Sequence, residues 1–240
     1  MATLLLEDLV KVYNKKLTVD HVTMEVTSGV VTGLLGPNGA GKTTTFYMAV
    51  GMIPADGGRV LLDGQDLTHD PMYVRARKGL GYLPQESSVF GKLTVAENIL
   101  AILEIGKMPR VRREEKVRNL MDELGIGRLA DRKAFLLSGG ERRRLEIARA
   151  LATEPLFMLL DEPFAGIDPL AVIDISNIIR HLTARGIGVL ISDHSVRETL
   201  GVCDTAYILN HGAVIESGSP EKIASSEVAR RFYLGEGFTL

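Results

Sequence analysis

Four short stretches carry side chains whose types and spacing could do chemistry together. Gly36-Pro37-Asn38-Gly39-Ala40-Gly41-Lys42-Thr43 fits the pattern G-x-x-x-x-G-K-[ST]. Glycines there let successive backbone N–H groups converge on phosphate oxygens, Lys42 reaches the terminal phosphates, and the Thr43 hydroxyl is a ligand for Mg²⁺. A turn that merely joined two elements would need neither the lysine nor the threonine, so the stretch is read as a nucleotide site. Asp161-Glu162 closes a second run, Phe157-Met158-Leu159-Leu160. Asp161 supplies the metal-side carboxylate. Glu162 faces the other way, as successive strand residues do, and can polarise the water that attacks a γ-phosphate. His194 lies two residues past a third apolar run, Gly188-Val189-Leu190-Ile191-Ser192. Gln85, after Gly81-Tyr82-Leu83-Pro84, offers a neutral oxygen to Mg²⁺ or to the attacking water, although a surface glutamine would look the same.

For these residues to meet, the runs that end in them must lie side by side. Continuous apolar strands separated by helices predict a parallel sheet covered on both faces, with ligands at its carboxyl edge. Val30 to Leu35 is read as the strand before the phosphate loop and Lys42 to Val50 as the helix after it. A further helix starts with Asp168 as N-cap and Pro169 at its first position, and carries Val172, Ile175, Ile179 and Leu182 on one face. Short strand-like pieces within 4–35 and 58–67 predict an appended antiparallel β subdomain. Residues 86–154 read as an inserted, charged helical subdomain, with Val117, Leu120, Met121 and Leu124 on one face. Thr205 to Leu209 and Ala213 to Ile215 form a late hairpin through His211-Gly212. The fold class is α/β, a P-loop nucleoside triphosphatase core in one domain over 1–240.

Composition sets the outer bounds. The chain has 240 residues, 45% hydrophobic and 24% charged, which is enough to bury a full core. A formal net charge of -2 argues against a protein that holds nucleic acid through its overall field. Cys203 stands alone, which fits a reducing compartment. The N-terminal Met1-Ala2-Thr3-Leu4-Leu5-Leu6 lacks the basic start of a signal peptide, and no apolar run reaches the roughly 18 residues of a membrane span. A soluble chain is expected, with any membrane role borne by a partner. The basic clusters Arg110, Arg112, Arg113 and Arg142-Arg143-Arg144 are read as mostly solvated helix faces.

Leu137-Ser138-Gly139-Gly140-Glu141 is locally a helix start, with Ser138 and Glu141 as the capping box. Combined with the phosphate loop upstream and the Asp161-Glu162 pair downstream, it resembles the ATP-binding cassette family over nearly the whole chain. That resemblance implies ATP and Mg²⁺ as ligands and gives further roles. Tyr13 matches the aromatic residue that stacks on adenine, and Gly36 to Thr44 match the phosphate loop. Gln85 matches the glutamine that senses a transmembrane partner. Ser138, Gly139 and Gly140 match the signature that binds the γ-phosphate of ATP held by a second subunit. Asp161 and Glu162 match the metal-side aspartate and the base, and His194 matches the switch histidine. Ala165-Gly166-Ile167-Asp168 departs from the commoner S-A-L-D, with Asp168 matched. A homodimer with ATP at its interface, working with transmembrane permease subunits on the cytoplasmic face of the inner membrane, is implied.

Within the family, the phosphate loop with Thr44-Thr45-Phe46-Tyr47-Met48, the stretch Gly81 to Glu86 with Phe90, Leu160 to Gly166, Asp193 to Leu200 and the tail Tyr233 to Phe238 resemble the ATPases of lipopolysaccharide exporters. Branched-chain amino-acid importer ATPases share much of this pattern. Phe90 is a candidate for the groove that receives the permease, or an ordinary core phenylalanine. DNA-repair relatives with long coiled-coil arms are disfavoured, because only about a hundred residues separate the loop from the signature and no heptads run through them. A small-molecule kinase would have no use for L-S-G-G.

Overall fold

The computed structural model describes residues 1–166 and 169–240, with the side chains of 169 and 170 outside the description. The Asp168 N-cap and its neighbour Ile167 therefore lie outside the described residues. The chain runs β1 (Thr3–Tyr13), β2 (Lys16–Thr27), β3 (Val31–Leu35), α1 (Lys42–Val50), β4 (Gly57–Leu62), β5 (Gln65–Asp66), α2 (Met72–Arg77) and β6 (Leu80–Leu83). Three helices follow, α3 (Val95–Leu103), α4 (Arg110–Glu123) and α5 (Gly139–Leu151). Then come β7 (Phe157–Asp161), α6 (Pro169–Ala184), β8 (Gly188–Ser192), α7 (Val196–Val202), β9 (Thr205–Asn210), β10 (Ala213–Gly218), α8 (Pro220–Ser225) and α9 (Glu227–Ala229).

The all-apolar strands sit where both faces are covered. A six-stranded sheet has the order β10-β9-β3-β8-β7-β6, parallel throughout except for β10 against β9. Alternation within each strand feeds two separate cores: Met158 and Leu160 face the helices, while Phe157 and Leu159 face α1 and the second sheet. The strand after the phosphate loop's own is thus β8, and β7 comes next. The carboxyl ends that carry the loop, His194 and Asp161-Glu162 are adjacent, as the sequence predicts.

The second sheet, order β2-β1-β4-β5, is antiparallel. Its first two strands are longer than the short pieces expected from sequence. Leu4 and Leu6 are buried in phase, then the phase slips to Leu9 across Asp8, whose φ is 53°. The register shifts at that point, a bulge that hides one long strand behind a broken alternation.

The inserted helices do not wall themselves off. Val95 and Ile99 of α3, Val117 and Leu120 of α4, and Leu145 and Ala148 of α5 join one continuous apolar cluster with Met158, Leu160, Val189 and Ile191 of the sheet. Capping boxes start both α3, at Thr94 and Glu97, and α5, at Ser138 and Glu141. The β9–β10 hairpin turns in two residues, His211 at φ 47° and Gly212 at φ 87°, as a tight turn of this hand requires.

Candidate functional site

The phosphate loop is held by backbone on three sides. Gly36 has φ 147°, and a Cβ there would lie 2.1 Å from the Leu209 carbonyl oxygen; at Gly41, φ 104°, it would lie 2.7 Å from that of Thr18. Gly212 N–H donates to the Ala40 carbonyl at 3.0 Å, and Asp20 N–H to the Gly212 carbonyl at 2.9 Å. The first turn of α1 contains no acidic residue, so its positive end is open to an anion. Lys42 Nζ donates to the Gly36 carbonyl at 2.6 Å and the Pro37 carbonyl at 3.0 Å, resting inside the loop it would serve. Burial lowers the Lys42 pKa, and the Glu162 and Asp193 carboxylates oppose that shift. Asn38, Gly39 and Thr43 are exposed, Pro37 and Thr44 half-buried.

Across the strand ends, carboxylates crowd together. Asp161 is 4% exposed, and burial, then the neighbouring Glu162 charge, pushes its pKa up to about 6. The Tyr82 hydroxyl reaches its Oδ2 at 3.5 Å. Glu162 holds a left-handed backbone, φ 44°, fixed by its N–H donating to the Ser192 carbonyl at 2.6 Å. Such a backbone costs about 1–3 kcal/mol outside glycine and collects at functional sites. It also redirects the side chain more sharply than strand alternation alone. Gln85 Nε2 donates to Glu162 Oε2 at 2.7 Å, and His194 Nδ1 stands 3.5 Å from the same oxygen. Gln85, Glu162 and His194 are therefore one cluster. The glutamine's amide nitrogen is engaged with Glu162, not with Asp161.

The hard-oxygen set suits Mg²⁺. Thr43 offers an exposed hydroxyl, and Asp161 a carboxylate whose burial first and the adjacent Glu162 charge second disfavour its ionised form, a penalty a divalent cation would offset.

The remaining sequence candidates are placed as follows. Tyr13 sits 45% exposed at the tip of the β1–β2 hairpin, with Lys11 Nζ 5.4 Å from its ring centroid. Ser138 caps α5 and Glu141 in its first turn accepts from the Ser138 N–H at 3.0 Å, while a Cβ on Gly139 or Gly140 would meet nothing within 4 Å, so the backbone at those two glycines is unobstructed. Gly139 also lines a recess shared with Gln85 and Glu162. Phe90 is 49% exposed, which removes the core reading; its ring lies 4.6 Å from the Arg149 guanidinium, and Asn98 bonds its backbone N–H and carbonyl.

One expectation is corrected. Arg142, Arg143 and Arg144 are not a solvated face. They bond the Leu137, Pro84 and Leu124 carbonyls, and Arg144 also pairs with Asp174. Helix α5 is enclosed on several sides, so its arginines reach inward to loops that need donors. Arg110 and Arg112 are solvated, as expected, with side chains 85% and 75% exposed, but Arg113 is not: its side chain is 23% exposed and pairs with Glu104 at 3.5 Å. Sequence reasoning also missed Asp193. Fully buried, it accepts from Phe164 N–H and Ser195 N–H, each at 2.8 Å, and so ties the segment after Glu162 to the segment after His194. An aspartate directly after an apolar strand gives no signal of that in sequence.

The family description "ABC transporter" matches residues 19–165, which span the phosphate loop, the signature and Asp161-Glu162. The chain belongs to the ABC transporter family. This ABC ATPase is 53% identical over 241 residues to the "Lipopolysaccharide export system ATP-binding protein LptB" of Escherichia coli (strain K12), covering 100% of both chains. It is 57% identical over 232 residues to a "Probable ABC transporter ATP-binding protein" of Azorhizobium caulinodans, covering 97% of this chain and 83% of that one. Among solved structures it resembles MJ1267, an ATP-binding cassette of an ABC transporter in its ADP conformation, with a TM-score of 0.88 and 32% identity over 98% of this chain and 100% of that one. As an ABC ATPase the chain binds and hydrolyses ATP, and domains of this family dimerise and work with transmembrane subunits. No helix among the described residues is long and apolar enough to cross a membrane.

Proposed function

We propose that this ABC ATPase powers lipopolysaccharide export from the cytoplasmic face of the inner membrane, as a homodimer bound to separate transmembrane subunits. The observation that carries this reading is the full-length match to LptB at 53% identity, over a chain whose loop, carboxylates, glutamine and histidine are assembled at one sheet edge.

The loop N–H groups and Lys42 bind the β- and γ-phosphates, and the open end of α1 favours their charge. Tyr13 stacks on adenine. Thr43 and Asp161, with Gln85 as a further oxygen donor, would hold Mg²⁺, which when bound would supply positive charge against the phosphoryl oxygens. Glu162 takes the proton of the attacking water, and its carboxylate is steadied by the Gln85 amide and faced by His194 Nδ1. A second copy, arranged head to tail, brings the α5 end with Ser138, Gly139 and Gly140 onto the γ-phosphate. ATP then joins the two copies and hydrolysis releases them, a stroke passed to the permease through the groove near Gln85 and Phe90.

Glu162→Gln tests the site. It keeps the Gln85 contact, so ATP affinity stays within a few-fold while turnover falls by about 10²–10⁴. Light scattering with Mg-free ATP then shows a dimer. Unchanged hydrolysis would remove Glu162 from the base role. Reconstitution with lipopolysaccharide-exporter transmembrane subunits should stimulate the ATPase, and stimulation by branched-chain importer subunits instead would overturn the cargo.

A further inference from the structure

One buried ion pair sits between the site and the groove, and the mechanism above does not use it. Arg143 and Glu146 of α5 lie 3.1 Å apart with side chains 11% and 4% exposed. Each holds one end of the loop that carries Gln85. Arg143 Nη1 donates to the Pro84 carbonyl at 3.0 Å, and Glu146 Oε1 accepts from Ser88 N–H at 3.1 Å. Arg149, one turn along α5, donates to the Ser88 carbonyl. Glu146 lines two cavities at once. One is the recess with Gln85, Gly139 and Glu162, and the other is a largely apolar groove with Met72, Ile102 and Ala150.

Stability does not demand these residue types. A buried ion pair is often replaceable by apolar side chains without loss, and here the pair leaves Arg143 Nη2 and the nearby Arg149 Nε buried without a hydrogen-bond partner. What the pair does achieve is geometric. It fixes both ends of a short exposed loop whose second residue, Gln85, touches the catalytic carboxylate, and it does so from the helix that begins with the signature.

We propose that Arg143 and Glu146 are positioning residues, a strap that locks the 84–88 loop to α5 and thereby holds Gln85 on Glu162. Pressure on the groove wall reaches the water-activating carboxylate through this pair, and movement of the signature helix moves the same loop. The inference rests on Glu162 being the base.

A double-mutant cycle between Arg143→Gln and Gln85→Ala, read in kcat and in KM for ATP, tests the strap. Arg143→Gln should lower kcat about ten-fold with KM within about two-fold, and should change kcat less than about two-fold once Gln85 is already alanine. Equal losses in both backgrounds would overturn the proposal. The double variant Arg143→Met with Glu146→Met keeps the buried volume without charge, and so guards against misfolding. In it, amide hydrogen exchange across residues 84–88 should speed up about ten-fold while α5 stays protected. Unchanged exchange in that loop would also overturn the strap. Failure of the site reading looks different: hydrolysis is then unimpaired in Glu162→Gln, while exchange across residues 84–88 still speeds up in the double methionine variant.

Discussion

Arg75 shows how a residue remote from the nucleotide supports the helix that binds it. Its guanidinium is 2% exposed and bonds four carbonyl oxygens: Met48 at 2.7 Å, Ala49 at 2.8 Å, Asp70 at 2.8 Å and Thr68 at 2.9 Å. The first two belong to the last turn of α1, whose terminal carbonyls have no partner within the helix. Gly51 leaves room for the side chain, because a Cβ there would sit 2.7 Å from Arg75 Nε. Arg75→Met keeps the stem and strips the donors. The bonds to Met48 and Ala49 are buried; the Ala49 carbonyl is left bare while that of Met48 keeps only the Gly51 N–H at 3.3 Å, so together they cost about 2–5 kcal/mol. The Asp70 and Thr68 carbonyls are half-buried and recover water, so they add little. Relief from burying a cation offsets part of the loss, leaving about 2–4 kcal/mol net. At roughly 2–4 °C per kcal/mol for a chain of this size, the thermal midpoint falls by about 5–15 °C. The other end of α1 is anchored separately, through Gly41 against Thr18 and the Ala40 carbonyl on Gly212, so ATP affinity measured by calorimetry below the transition changes less than about three-fold. A midpoint within about 2 °C of the parent would refute the bare-acceptor reasoning. A ten-fold loss of affinity, about 1.4 kcal/mol, would refute the independence of the two helix ends.

Two further outcomes follow from the same geometry. Gly36→Ala forces a Cβ onto the Leu209 carbonyl, 2.1 Å away, and should abolish measurable ATP binding, whereas Gly39→Ala, with nothing within 4 Å, should cost only the left-handed strain of about 1–2 kcal/mol; equal effects in a binding titration would contradict this. Asp161 ionises with a pKa of about 6 when folded against about 4 when unfolded, so its charged form is the one that folding disfavours. Asp161→Asn should therefore stabilise the nucleotide-free protein by up to about 3 kcal/mol in urea titrations above pH 6, the gain fading as the pH falls from about 6 toward 4; a gain that grew with acid would reverse the sign.

The parts of the site that use backbone chemistry were legible in sequence, because glycine spacing, an all-apolar strand and a capping box each have one dominant physical reading. Val31–Leu35, Lys42–Val50 and Gly188–Ser192 fall within a residue of expectation for that reason. What stayed hidden depends on contacts made across the fold. Arg142 to Arg144 looked solvated because a charge run carries no mark of the loops it will meet. The reach of Gln85 to Glu162 needed the register of β6 on β7, where Leu83 lies opposite Leu160. The bulge at Asp8 broke an alternation that would otherwise have shown one long strand.

The turn at His211-Gly212 bears on how the chain comes into being. Strand β3, which delivers the phosphate loop, has β8 and β9 as its two neighbours, and the loop leans on Leu209 and Gly212. All of these are made more than 150 residues after β3 begins at Val31, so the contacts that flank β3 and hold the loop from that side close a very long span of chain. During vectorial synthesis the residues with phosphate chemistry emerge early and wait, without their Leu209 and Gly212 partners, until residue 212 has left the ribosome. A nascent chain arrested before β9 therefore has no ATP site to form. Nucleotide competence arrives late and all at once, so unfinished copies cannot sequester ATP or pair with a finished subunit through it.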